Sequence, residues 1–426
     1  MDDFIAYFFY YCYNWYGENM KKKQISIIIT LMIISIIILA LIFFRIIYSN
    51  LEEPNLDNSS TNSSFDYSLI KETNKNKSSN YLISPYSIKT VLSIIKDGAD
   101  NSSLKELNDV MGNFRRGNIT SKNVIGDANL LLIKKEFKDG INKNYVNKIE
   151  KSYDAEIKYI NITPNNINKW VDNKTNHMIP TLVDSVNPET LIEVINAISM
   201  KASWDSEFDC KNTHISEFNT IDGSIINTIM MVSNDAQYIE NDTAKGIIKK
   251  YKTYKNDDHK KVNLEFVAIM PNDGIDSYIE NFNNDEFRNL LSTKDKYKNE
   301  DVSLKLPRFK YNYDFNNLKN ILINMGIKSI FDSSADLSKM TESNSKDLYI
   351  SSINHKSYIE VNEKGTKASA ATSASIDKMA LENVPIDIEF DKPFIYIIKQ
   401  SNSDDILFFG VVYTPTLANN ETNFCN

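Results

Sequence analysis

Cysteine and histidine are scarce in this chain, and their scarcity removes whole classes of chemistry. Three cysteines among 426 residues cannot make a disulfide framework. Cys12, Cys210 and Cys425 form no CxxC pair, so a zinc ribbon or thioredoxin-like motif is excluded. Cys210 reads as a free thiol near a turn, although Cys425 could meet it. The four histidines, His177, His214, His259 and His355, show no HExxH or paired-ligand spacing. There is no nucleophile elbow, Walker loop or GxGxxG. Nothing here supports catalysis, a metal or a cofactor. A net charge of −8, with no basic patch interleaved with aromatics, argues against nucleic acid. Lys249–Lys255 and Lys134–Lys148 are interspersed with acids and read as solvated surface. Regular βαβ alternation and internal repeats are absent too.

One long apolar run is present. ISIIITLMIISIIILALIFF, residues 25–44, is uncharged and long enough to span a bilayer as a helix. Lys21, Lys22 and Lys23 precede it and Arg45 follows, which places the N-terminus in the cytosol. The expected organisation is a cytosolic segment (1–24), a signal anchor (25–44), a flexible stalk (45–65), a large outer domain (66–416) and a tail (417–426). A single-pass membrane protein follows, with a cleaved, secreted form as the alternative. Translation could also start at Met20, giving a conventional MKKK beginning. Nine Asn-x-Ser/Thr sites all lie beyond the apolar run (Asn58, Asn62, Asn76, Asn101, Asn118, Asn161, Asn173, Asn241 and Asn420), consistent with an outer, glycosylated domain.

Within the domain the apolar spacing changes from helical to extended and back. SIKTVLSII (Ser87–Ile95) has helical spacing stopped at Asp97-Gly98, and Phe137–Ile157 carries apolar residues at helical intervals. FNNLKNILINMGI reads as a helix closed by Gly326. Val124–Ile133 begins as a strand, and Leu191–Met200 and Val262–Pro271 read as buried strands. Residues 301–309 alternate, and the last eighty residues are mainly strands. Mixed helices and strands without βαβ order indicate an α+β fold.

Residues 355–374, HKSYIEVNEKGTKASAATSA, read as a strand broken at Gly365 and followed by small residues. Surface turns ordinarily use Pro, Asn, Asp and Gly. A run of Ala, Ser and Thr can instead stand exposed or enter a tight strand slot, which suggests a switch. The stretch resembles the hinge of the serpins, the serine protease inhibitor family, through Glu363, Gly365, Thr366, Ala368, Ser369, Ala370, Ala371 and Thr372. Lys367 departs from that pattern, where an acid is usual. Further pieces resemble the family in order: NYLISPYSI (Asn80–Ile88), NAISMKASWDSEFD (Asn196–Asp209), FNTIDGSIINTIMM (Phe218–Met231), the Leu-Pro-x-Phe series within Leu304–Phe331, and the terminal hairpin Phe390–Pro415. The resemblance implies a monomer with three β-sheets, eight or nine helices and an exposed reactive-centre loop. Some large DNA viruses encode members at cell surfaces, so a viral origin is one reading.

The resemblance also implies a mechanism and its residues. Counting sixteen positions from Glu363 gives Met379, so the reactive bond is Met379–Ala380. That bond suits a chymotrypsin- or elastase-like serine protease, and Lys378–Met379 would suit a trypsin-like one. Attack there would form an acyl-enzyme, after which the freed hinge enters the central sheet and distorts the protease. Alternation puts Thr366, Ala368, Ala370, Thr372 and Ala374 on one face, all chargeless, and leaves Lys367 on the other. No proline interrupts residues 364–384. Ser84, Ser87, Asn196 and His355 are implied as a gate where the central strands part, and Trp204 as part of the zone where the loop first inserts. The alternatives are a non-inhibitory binding protein of this fold and a membrane-tethered interaction protein.

Overall fold

The computed structural model describes residues 63–75, 77, 79–121, 124–161, 163–175, 177–187, 190, 192–366 and 384–418. They belong to one compact unit spanning residues 60–426. The apolar run 25–44, Cys12, Cys425, the sites Asn58, Asn62, Asn76 and Asn420, and loop positions Lys367–Asn383 lie outside them. Those loop positions include Ala368–Thr372, Lys378, Met379 and Ala380. Among the described residues no helix is long and apolar enough to cross a membrane.

Helix α1 (Ser63–Asn74) opens the fold, three residues before the expected start of the domain, because Phe65, Leu69 and Ile70 face the core. Strand β1 (Tyr81–Ile83) leads into α2 (Pro85–Gly98). Ser84 caps α2 by accepting from the Ser87 amide, and Pro85 occupies the first turn, where its missing N–H is harmless. Ile88, Val91, Leu92 and Ile95 follow at helical spacing, and α2 is buried on nearly every side. Next come α3 (Asn101–Met111), β2 (Ile125–Lys134), α4 (Lys143–Tyr153), β3 (Ala155–Ile160) and α5 (Pro164–Lys174). The helical pattern expected over Phe137–Ile157 is cut at both ends. Asn142 caps α4 on the amides of Asn144 and Tyr145, and the left-handed Asp154 turns the chain into β3.

Strands then dominate: β4 (Ile192–Met200), β5 (Ala202–Ser203), β6 (His214–Asn219), β7 (Ile225–Ser233), β8 (Gln237–Glu240), β9 (Ala244–Lys250), β10 (Tyr254–Lys255), β11 (Lys261–Val262) and β12 (Leu264–Pro271). Two short helices, α6 (Ile275–Asn281) and α7 (Asn284–Ser292), precede β13 (Val302–Pro307) and β14 (Phe309–Asp314). Helix α8 (Leu318–Met325) ends at Gly326 with φ +112°, as its sequence suggested. The chain closes with β15 (Ser352–Asn362), β16 (Gly365–Thr366), β17 (Ile386–Glu389), β18 (Phe394–Gln400) and β19 (Ile406–Val412).

Three sheets and a two-stranded ribbon result, with eight α-helices among the described residues. The main sheet runs β3-β2-β4-β15-β16-β5, and β14 pairs the far edge of β15. A six-stranded antiparallel sheet runs β1-β19-β18-β12-β9-β8, and a four-stranded sheet β17-β13-β7-β6. The α+β architecture with three sheets is the one expected from the sequence. At the centre of the main sheet β4 and β15 run parallel, with His355 opposite Asn196. Both faces of β4 are buried. Val194 joins the helical core with Ile88, Leu92 and Ile95, while Ile195 and Ala197 face α5 through Ile167, Trp170 and Val171.

Candidate functional site

At the upper end of the β4–β15 seam the two strands separate and a third enters. After β15 the chain turns at Glu363-Lys364 and comes back as β16. Val361 pairs with Thr366 and Asn362 with Gly365. On its other side β16 pairs with β5, Gly365 with Ser203 and Thr366 with Ala202. The first two small residues of the hinge thus already lie between β15 and the continuation of β4. Gly365 is required there: its φ is +146°, and an added Cβ would stand 2.2 Å from the Ala202 carbonyl oxygen. Thr366 is buried, and its hydroxyl lies 2.7 Å from that of Tyr251.

Glu363 anchors the turn. The Arg308 guanidinium grips its carboxylate two-pronged, with Nε–Oε2 at 2.8 Å and Nη2–Oε1 at 2.6 Å, and the Thr213 hydroxyl donates at 2.7 Å. A fork-on-carboxylate contact of this kind is both strong and directional. Arg308 is itself fixed between sheets: its amide donates to Ile229 O and its carbonyl accepts from Thr416. Trp204 closes the other side. Its Nε1 donates to Asn362 O at 2.9 Å and its amide to Lys364 O at 3.1 Å. Tyr251 stacks on the indole at 4.5 Å, and Phe208 and Phe266 meet it edge-on.

Lys249 corrects the surface reading of Lys249–Lys255. It is buried, with Nζ 4.7 Å from the centre of the Phe208 ring and 5.9 Å from that of Trp204, and donates to Asp235 O at 2.8 Å. Burial pulls its pKa down to about 8. Alternation along β9 turns Lys249 inward while Lys250 stays exposed, which composition alone does not reveal. Cys210, read as a free thiol, is disulfide-bonded, with its partner outside the described residues.

Lower on the seam lies a buried polar chain. Ser87, on α2, donates to Asn196 Oδ1 at 2.7 Å, and His355 Nδ1 lies 2.8 Å from the same oxygen. Since Asn196 Oδ1 can only accept, His355 carries its proton on Nδ1, and Nε2 accepts from Ser357 at 3.1 Å. The Asn196 amide donates to Asp127 and Asn129 on β2, at 3.2 and 2.9 Å. Arg116 pairs with the far oxygen of Asp127 at 3.1 Å. Burial lowers the His355 pKa to about 3, so the ring is neutral at physiological pH. Ser87, Asn196 and His355 are therefore in one network. Ser84 stands apart from it, donating to Leu407 O and capping α2 beneath Ser87. Asp127, Asn129, Ser357 and Arg116 were not anticipated from the sequence. Each is an ordinary polar residue on or near a strand until the β2–β4–β15 register brings it to Asn196.

The other histidines stand away from this network. His177 is exposed and paired with Asp172, and His214 and His259 are exposed. Among the described residues no cluster of three or more histidine, cysteine or acidic side chains could hold a metal ion.

The serpin (serine protease inhibitor) family model matches residues 60–415. The chain belongs to the serpin family. An uncharacterized serpin-like protein of Thermococcus kodakarensis is 28% identical over 377 residues, covering 83% of this chain and 84% of that protein. Mouse neuroserpin is 30% identical over 80% of this chain and 87% of its own. Among solved structures, the thermophilic serpin tengpin in its native state superposes with a TM-score of 0.72 at 27% identity, covering 85% of this chain and 96% of tengpin. Thyroxine-binding globulin complexed with thyroxine shares the fold at 22% identity, with a TM-score of 0.68 and coverage of 83% of this chain and 98% of its own. The fold is thus shared by a thyroxine-binding protein as well as by a family described as serine protease inhibitors.

Proposed function

We propose that this serpin is a suicide inhibitor of a serine protease, attacked at Met379–Ala380 and acting by insertion of its hinge between β4 and β15. The observation that carries the reading is the seating of Gly365 and Thr366 between β15 and β5. The partners of Thr366 on either side, Ala202 and Val361, keep the same offset as Asn196 and His355. Six residues further into the seam, a strand in that register would bring Thr372 between Asn196 and His355. Its hydroxyl could replace the bond that insertion breaks, so the polar chain would stay satisfied with the sheet open or closed. In this reading Ser87, Asn196 and His355 are the gate, with Ser84 supporting it through α2. Trp204 and the Glu363–Arg308 pair form the entrance. The inward positions Thr366, Ala368, Ala370, Thr372 and Ala374 carry no charge, which a buried strand requires.

The primary partner is a chymotrypsin- or elastase-like protease, with a trypsin-like enzyme cutting at Lys378 as the second choice. A signal anchor over residues 25–44 would hold the domain outside the cell, whereas a cleaved leader would release it. The test is incubation with chymotrypsin, elastase and trypsin. The expected product is a denaturant-stable complex at the summed mass less that of a released fragment that begins at Ala380. Thr366→Arg places a charge in the buried slot and should turn the inhibitor into a substrate. A stable complex formed by that variant would sink the insertion mechanism. Clean loop cleavage by the wild type, without a complex, would favour a non-inhibitory binding protein.

A further inference from the structure

Glu193 occupies the same seam on the opposite face of β4. It precedes Asn196 by three residues, so strand alternation turns it towards α5, with Ile195, rather than towards α2. Only 2% of it is exposed. In register, Leu132 of β2 lies on one side and Ser352 of β15 on the other. Oε1 accepts from the Asn354 amide, Ser352 stands opposite Glu193 in register, and Oε2 is buried without a partner. Among the described residues no counter-charge is near. On β2 the next charged residue is Lys134, paired with Glu136. On β15 it is Lys356, tied to Asp314 and Thr181 O. On α5 and the segment after it, Lys174 pairs with Glu156 and Asp172 with His177, while Lys169 and Asp184 are exposed. His355 lies on the α2 face.

We infer that Glu193 is a pH-responsive clasp across the β4–β15 seam: it accepts from Asn354 across the closed seam, and its ionisation in that buried position weakens the closed sheet. The inference rests on the proposed insertion only for its biological use; the clasp itself is a property of the uncleaved protein. Its physical basis is desolvation. A buried carboxylate without a cation favours its neutral form, and here burial raises the pKa to about 7. Opening the seam returns the group to water and to its ordinary value near 4.5. A group raised in the closed state contributes its full stabilisation below the lower value and loses it as the pH climbs to the upper one. Opening should therefore become easier between about pH 4.5 and 7 and level off above.

Hydrogen exchange of the β4 and β15 amides tests this on the full chain, comparing wild type with the neutral isostere Glu193→Gln from pH 5 to 8. Taking the ratio at each pH cancels intrinsic exchange and any contribution of His355. The expected ratio of wild-type to variant opening rises at least about tenfold between pH 5 and 7 and then flattens. A ratio constant across the range overturns the clasp. A carboxyl-carbon NMR titration of the wild type gives a check independent of any variant: a midpoint near 7 for Glu193 supports the proposal, and one below 5 refutes it. Neither readout uses a protease. A protein that forms no covalent complex yet shows the rising ratio keeps the clasp and loses the inhibitory reading.

Discussion

His355 and Arg308 show how much depends on a single partner. His355 is neutral in the closed fold because burial drives its pKa to about 3, while the unfolded residue titrates near 6.5. A depressed histidine contributes its full stability above the unfolded value and loses it as the pH falls toward the folded one. Acidification from 6.5 should therefore cost about 1.4 kcal/mol per pH unit through this group. Denaturant titrations of wild type and His355→Gln, compared between pH 7 and 4.5, should show the smaller acid loss in the variant. Arg308 is the counter-ion of a buried carboxylate. Arg308→Met leaves Glu363 with only the Thr213 hydroxyl, and breaking such a pair costs about 3–5 kcal/mol when the remaining charge is fully buried. Because Arg308 keeps some exposure, the lower end is expected, read as a drop in denaturation midpoint.

Strand β16 is only two residues long and lies between β15 and the equally short β5. Two residues bridge β15 and β5, and their geometry leaves no room for a larger first residue. Gly365→Ala combines a strained left-handed φ with a Cβ against backbone, a penalty of about 1–3 kcal/mol. The expected result is unseating of β16 rather than global unfolding, seen as faster tryptic cutting after Lys364 with little change in melting temperature. Unchanged cutting would mean that the slot tolerates the methyl group. Helix α2 works at the same scale. Its cap at Ser84 and its buried face fix the height at which Ser87 meets Asn196.

For the whole molecule, the main sheet holds a seam whose closure is maintained by polar contacts on both faces, His355–Asn196 on one and Glu193–Asn354 on the other. Their pH responses have opposite sign and overlap, so between about pH 4.5 and 6.5 they largely offset each other, and the closed form should lose stability on either side of that window. If the closed form is metastable, held by a barrier rather than by equilibrium, then cutting the loop removes the constraint on insertion. Loop cleavage should then raise the melting temperature substantially, measurable by calorimetry before and after limited proteolysis. An unchanged melting temperature would mean that no strand had been added.

The sequence by itself determined the fold class and most elements. Ile88, Val91, Leu92 and Ile95 mark a helix by spacing, and the apolar run at Ile192–Met200 marks a strand buried on both faces. The run of small residues after Gly365, with Lys367 as its one charge, and the collinear motifs around Trp204 and Leu-Pro-x-Phe were legible as a family pattern. Tertiary structure alone decided the rest. Asp127, Asn129 and Ser357 join Asn196 only through strand register, and Arg308 meets Glu363 across 55 residues of chain. Lys249 is buried because of the face it takes on β9, not because of its neighbours in sequence. The pKa values of His355 and Glu193 follow from burial without a counter-charge. Local spacing encodes which face a residue shares; it cannot encode which distant charge is missing from that face.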